Sequence, residues 1–207
     1  MRKAAAKSLY SVHPGVAMVQ KWVAELPEKT GRSLEQWISL VEKSGPSDEQ
    51  ARREWLKNEH KLGTNSAAWI VERAAGKRRE QDDPEAYLQA TGKYVEDMFT
   101  GKKSGLREIY ERLLELGLSL GTEVKACPCK TIVPLSRNHV FAQLKPTTNT
   151  RIDLGLALGG RKTPKRVIDT GGLAKKDRIT HRIEIASLSD IDQDVKRWLK
   201  MAYELDA

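Results

Sequence analysis

RIDLGLAL, residues 151–158, sets Ile152, Leu154, Leu156 and Leu158 on one parity and Arg151, Asp153, Gly155 and Ala157 on the other. Successive side chains in a strand point to opposite faces, so this alternation describes a strand with one buried face. HVFAQL, residues 139–144, repeats the pattern, with Val140, Ala142 and Leu144 opposed to His139, Phe141 and Gln143. ITHRIEI, residues 179–185, sets Ile179, His181, Ile183 and Ile185 against Thr180, Arg182 and Glu184. Ser136-Arg137-Asn138 and the Pro146–Asn149 stretch are short turn-forming connections, which predicts an antiparallel meander. Residues 123–126 and 131–135 complete the strand block, and Pro134, which has no N–H for a ladder, predicts an edge position there.

Working outward, the periodicity changes from two to 3.6. Val16, Val19, Trp22, Val23 and Leu26 form a helical stripe that ends near Pro27. Ser33 with Gln36 makes a capping box for a second helix, Ser47 with Gln50 predicts the cap of a third, and Gly76 closes a fourth carrying Ala67, Ile70, Val71 and Ala74. Trp22, Trp37, Trp55 and Trp69 all lie in this segment, and at roughly 150–250 Å² of buried area each they supply a small helical core. Lys77 to Pro84 reads as a polar linker, with Asp83 capping the next helix and Pro84 at its first position. Leu106, Ile109, Tyr110, Leu113, Leu114 and Gly117 define one buried helix face, with the glycine leaving room for a neighbour. Ser189 is expected to cap a last helix bearing Ile191, Val195, Trp198, Leu199 and Ala202. The fold class is therefore α+β: a helical module over residues 12–76, then over 84–207 an antiparallel sheet packed by the helices at Leu106 and Trp198.

KTGRSLEQWISLVEKSGP, followed by EWLKNEHKLGTNSAAWIVERA, resembles the family catalogued as domain of unknown function 4287. GKKSGLREIYERLLELGLSLG, KTIVPLSRNHVFAQLKPTTNTRIDLGLAL and THRIEIASLSDIDQDVKRWLKMAY resemble domain of unknown function 5655 across most of Gly101 to Tyr203. The first resemblance implies a short helical module and the second implies the α+β domain; neither implies an activity. The sheet with its terminal helix is also similar, as fold-level analogy only, to double-wing proteins described as DNA-binding-like.

Charge narrows the function classes further. The 207 residues carry a net +8, of which Arg2, Lys3 and Lys7 contribute +3 and residues 159–178 contribute +5, seven bases against Asp169 and Asp177. The remainder cancels, so a polyanion would meet the tail and one loop. No run approaches the roughly 18 apolar residues of a membrane span, and Cys127 and Cys129 are too few for a secreted disulfide scaffold. These features lead to the expectation of a cytoplasmic protein without membrane association.

The chemistry-bearing residue types do not assemble into a catalytic pattern. Two cysteines and the isolated His13, His60, His139 and His181 form no metal-ligand spacing, so no metal or other cofactor is expected. The paired glycines Gly159-Gly160 and Gly171-Gly172 bracket the basic loop, but neither nucleotide-binding fingerprint is present. His181 shares the parity of the core isoleucines and reads as a satisfied core histidine. The leading reading is a non-enzymatic protein that associates with nucleic acid or another polyanion. Its candidate contacts are Lys130, Arg137, Lys145, Arg151, Arg161, Lys162, Lys165, Arg166, Lys175, Lys176, Arg178 and Arg182. Asp153 and Glu184 compete for Arg151 and Arg182, and Phe141 is the one aromatic assigned to that face, which disfavours base-specific readout. The alternatives are a pocket for a small anionic ligand, with Arg137, Arg151 and His181 as contacts, and a protein-interaction adaptor whose helical module docks a partner.

Overall fold

The computed structural model describes residues 9–207, so Arg2, Lys3 and Lys7 of the basic tail lie outside the described residues. The chain divides into two compact units, residues 12–89 and a second joining 90–207 to the segment that ends at Ser11.

The first unit contains α1 (Pro14–Thr30), α2 (Leu34–Ser44), α3 (Glu49–Asn58) and α4 (Thr64–Ala74). Helix α1 runs past Pro27 to Thr30, and Gly31, at φ 75°, returns its N–H to the Pro27 carbonyl. Trp37 Nε1 donates to Thr30 Oγ1 at 2.9 Å, which ties down the turn beyond the proline. The Ser33–Gln36 capping box is present on α2. On α3 the cap is Asp48 rather than Ser47: its carboxylate accepts from the Ala51 N–H at 2.9 Å and carries the charge that suits a helix start. Leu26, Trp37, Val41, Leu56, Ile70 and Val71 form the buried centre of this unit. Trp22 meets Trp69 edge-on at 4.9 Å.

Residues 77–83, expected as a linker, are bonded into this unit. Trp69 Nε1 donates to Gln81 Oε1 at 2.9 Å, and Arg73 pairs with Asp82 at 3.2 Å. The division falls inside α5 (Pro84–Met98), whose start Asp83 caps by accepting from the Ala86 N–H.

The second unit holds α6 (Arg107–Leu118), α7 (Gln193–Glu204) and six strands: β1 (Lys125–Ala126), β2 (Val133–Ser136), β3 (Val140–Lys145), β4 (Ile152–Leu156), β5 (Ile168–Asp169) and β6 (His181–Ile185). Every pairing is antiparallel and the order is β1-β2-β3-β4-β6-β5. The protein is thus α+β, with the meander expected from residues 133–156. After β4 the chain passes over one strand position, forms the edge at β5, and returns as β6 between them.

Four departures from the sequence expectations have local causes. β4 is buried on both faces, not one, because Arg151 and Arg182 cover Asp153, and Ile179 and Gln143 cover Gly155. Pro134 lies on the second strand, not the edge. Its carbonyl accepts from the Cys127 N–H at 3.1 Å, but it returns no donor, and β1 ends at Ala126. Phe141 is 0% exposed rather than on the polar face. The β2–β3 register slips there, with Leu135 opposite Ala142 and Ser136 opposite Val140, so Phe141 is the extra residue of a bulge and breaks the period of two. Its ring packs against Tyr203 of α7 at 5.6 Å. Ile179 precedes β6 and sits over Gly155, where a side chain on the glycine would strike it.

One core joins Val133, Leu135, Leu144, Ile152, Leu154 and Ile183 of the sheet to Ile109, Leu113 and Leu114 of α6 and Val195, Trp198 and Leu199 of α7. Gly117 fulfils its expected role, since a methyl group there would collide with Leu135 Cδ1. The last helix is capped by Asp192, which accepts from the Val195 N–H, rather than by Ser189. Ser189 belongs to a preceding 3-10 turn, Leu188–Asp190, built on a Ser187–Asp190 capping box.

Candidate nucleic-acid interface

The basic segment after β4 is an ordered excursion. Val167, 2% exposed, inserts into the core, and Ile168 and Asp169 pair with Arg182 and His181. Asp169 Oδ1 accepts from the Gly171 N–H at 2.7 Å, and the Gly172 carbonyl takes the N–H groups of Lys175 and Asp177 at 3.0 and 2.8 Å. These bonds place Arg161, Lys162, Lys165 and Arg166 on the outward limb and Lys175, Lys176 and Arg178 on the return.

The twelve candidate cations separate into two groups. Arg151 and Arg182 both bind Asp153 and Glu184 on the polar sheet face, at 2.8 to 3.1 Å, so two guanidinium groups and two carboxylates cancel. Arg137 donates to Glu123 at 2.9 Å and lies over the Tyr203 ring at 4.8 Å. The Tyr203 hydroxyl, with help from Arg137, holds the Glu123 carboxyl below the usual carboxylate range. Arg166 donates to Asp192 at 2.5 Å and lowers that carboxyl in the same way. Arg178 pairs with Asp206. Lys130, Lys145, Arg161, Lys162, Lys165, Lys175 and Lys176 are exposed and enter no ion pair among the described residues. Five of these seven belong to the loop. Arg137, Arg151, Arg166, Arg178 and Arg182 each stand against a neighbouring carboxylate, which a polyanion would have to displace.

Beside the loop is a cleft of about 640 Å³, within the size range of small-ligand sites. Its lining comes from the end of β4 (Ala157, Leu158), both limbs of the loop (Gly159, Gly160, Arg161, Leu173, Asp177, Arg178), Thr180, and the chain end (Ala202, Leu205, Asp206). Leu173 and Leu205 are exposed at 60% and 43%. Asp206 is saturated: Oδ2 accepts from the Asn138 and His139 N–H groups at 3.0 and 2.8 Å, and Oδ1 faces His139 Nδ1 and Arg178. Arg178 Nε donates to the Val140 carbonyl at 2.9 Å, and among the described residues Nη1 makes no bond.

The anionic-pocket contacts expected from sequence do not converge. Arg137 is on Glu123, Arg151 is in the sheet-face lattice, and His181 is 3% exposed with Nδ1 2.9 Å from Thr180 Oγ1. Burial pushes the Cys127 thiol up to about 11 and raises Cys129 as well, so neither is a ready thiolate nucleophile. Among the described residues no cluster of His, Cys, Asp and Glu is placed to hold a metal ion. Sequence reasoning missed Leu173, Leu205 and Asp206, whose local sequence carries no periodic or motif signal, and read Thr180 only as a residue of the last strand. The Gly159-Gly160 pair was the one local sign that backbone closes tightly here.

Fold and site together describe a two-unit α+β chain with an unneutralised basic loop beside an open cleft. Residues 95–206, more than half of the chain, match the family described as Domain of unknown function (DUF5655), and the protein belongs to that family. Residues 18–76 match a second family, Domain of unknown function (DUF4287), which gives the N- then C-terminal tandem. Comparison with curated proteins and with solved structures gives no match. Among the described residues no helix is long and apolar enough to cross a membrane.

Proposed function

We propose that this protein is a non-enzymatic, cytoplasmic nucleic-acid-binding module that uses the loop between β4 and β6 to follow the phosphate backbone. The observation that carries the reading is the contrast between cations. Arg161, Lys162, Lys165, Lys175 and Lys176 are exposed and enter no ion pair among the described residues, whereas the arginines of the sheet face are neutralised. Unpaired cations release condensed counterions from a phosphate backbone on binding; paired ones first have to give up a carboxylate. With Phe141 buried, the sheet offers no aromatic platform, so recognition is of backbone with little sequence preference.

The test is fluorescence anisotropy of the full chain with random-sequence oligonucleotides across a salt series. Binding should weaken steeply with salt. A variant with Lys162, Lys165, Lys175 and Lys176 changed to Ser should flatten the log–log salt slope by up to about 3.6, near 0.9 for each duplex phosphate that is no longer neutralised. Affinity indifferent to salt, or unchanged in the quadruple variant, overturns the reading.

A further inference from the structure

We infer that the cleft beside the loop takes one unpaired nucleobase, so that the protein prefers single-stranded nucleic acid; the inference rests on the polyanion reading above. Four charged side chains line the cleft, Arg161 and Arg178 against Asp177 and Asp206, and their charges cancel. A neutral lining of both signs does not select an anion. It suits a flat group with apolar faces and an edge that both donates and accepts hydrogen bonds, which describes a nucleobase. Leu158, Leu173 and Leu205 supply apolar walls, in the way that flipped bases are held between aromatic or apolar side chains. Arg161 offers unused donors and Asp177 an acceptor, neither being engaged in an ion pair among the described residues. Lys162, Lys175 and Lys176 follow or flank these lining residues in the chain, where they can meet the phosphates of the same strand.

Leu173 and Leu205 leave apolar surface exposed at the cleft, and Gly160, which lacks a side chain, lines it beside Leu173. A base in a duplex is stacked and paired and cannot enter; a single strand presents bases freely.

The experiment compares a single strand and the duplex of the same sequence by anisotropy at low salt, using the full chain. The single strand should bind about tenfold tighter, near what burying roughly 55 Å² of base face against the leucines contributes at about 25 cal/mol per Å². Leu173→Ser/Leu205→Ser, both solvent-exposed positions, and Gly160→Val, which narrows the cleft, should each remove that preference while duplex affinity stays constant. Melting curves check that the variants are folded. Equal affinity for the two forms, or a preference that survives both variants, overturns the base-binding cleft and leaves the loop reading standing. Absence of binding to either form overturns both.

Discussion

Asp206, next to last in the chain, is 4% exposed, and its carboxylate takes the two backbone N–H groups of the β2–β3 turn together with the Arg178 side chain. It thereby holds the return limb of the basic loop against the sheet. Asp206→Ala leaves those donors without an acceptor, a loss of about 2 kcal/mol. Native-state exchange of the Asn138 and His139 amides should accelerate roughly thirtyfold, since each 1.36 kcal/mol is a factor of ten. Unchanged exchange means that the turn holds without the latch. A second prediction concerns Cys127. Its folded pKa, about 11 against an ordinary 9.0, is raised because burial favours the neutral thiol. The folded protein therefore keeps this proton when the unfolded chain has lost it. The resulting stability is complete below pH 9 and declines as pH rises toward 11. Urea midpoints between pH 8 and pH 11 should fall, and Cys127→Ala should flatten that fall; an equally steep decline in the variant assigns it to other groups.

At the scale of elements, the close approach of α6 to the sheet depends on Gly117. Its missing side chain admits Leu135, whose Cδ1 a Cβ there would strike and which is 0% exposed. Gly117→Ala should destabilise the second unit by about 1–3 kcal/mol through overpacking. Adding Leu135→Val should recover part of the loss in a double-mutant cycle, and purely additive effects rule out the steric account. The elements also show what local sequence conveys. The Ser33–Gln36 box corresponds to the start of α2 because its bonds close within three residues, whereas β4, expected with one buried face, is buried along its whole length by partners on β3, β6 and the segment before β6. Phe141 leaves its expected face because a bulge is a mismatch between two strands and marks neither sequence alone. The two-residue β5 is equally silent: Ile168 and Asp169 become a strand through pairing with β6.

Across the whole molecule, the question is which of the surplus cations face solvent unopposed. Lys130 and Lys145 are exposed but stand outside the loop, so Lys130→Ser/Lys145→Ser should change oligonucleotide affinity by less than about twofold, whereas the four loop lysines together dominate the salt response. Comparable losses from both variants would spread the interface over the sheet and displace the loop from its role.

Sequence alone determined the α+β class, the tandem of the two families, the starts of α2 and α5 and the segment where positive charge accumulates, since these are carried by local spacing, turn chemistry and composition. Tertiary structure decided which charges survive and where the cleft lies. Asp206 reaches Asn138 and Arg178, Arg182 reaches Asp153, and Arg166 reaches Asp192, all at separations of 26 positions or more along the chain. Neutralising a guanidinium requires a carboxylate within a few ångströms, and chain folding alone sets that distance.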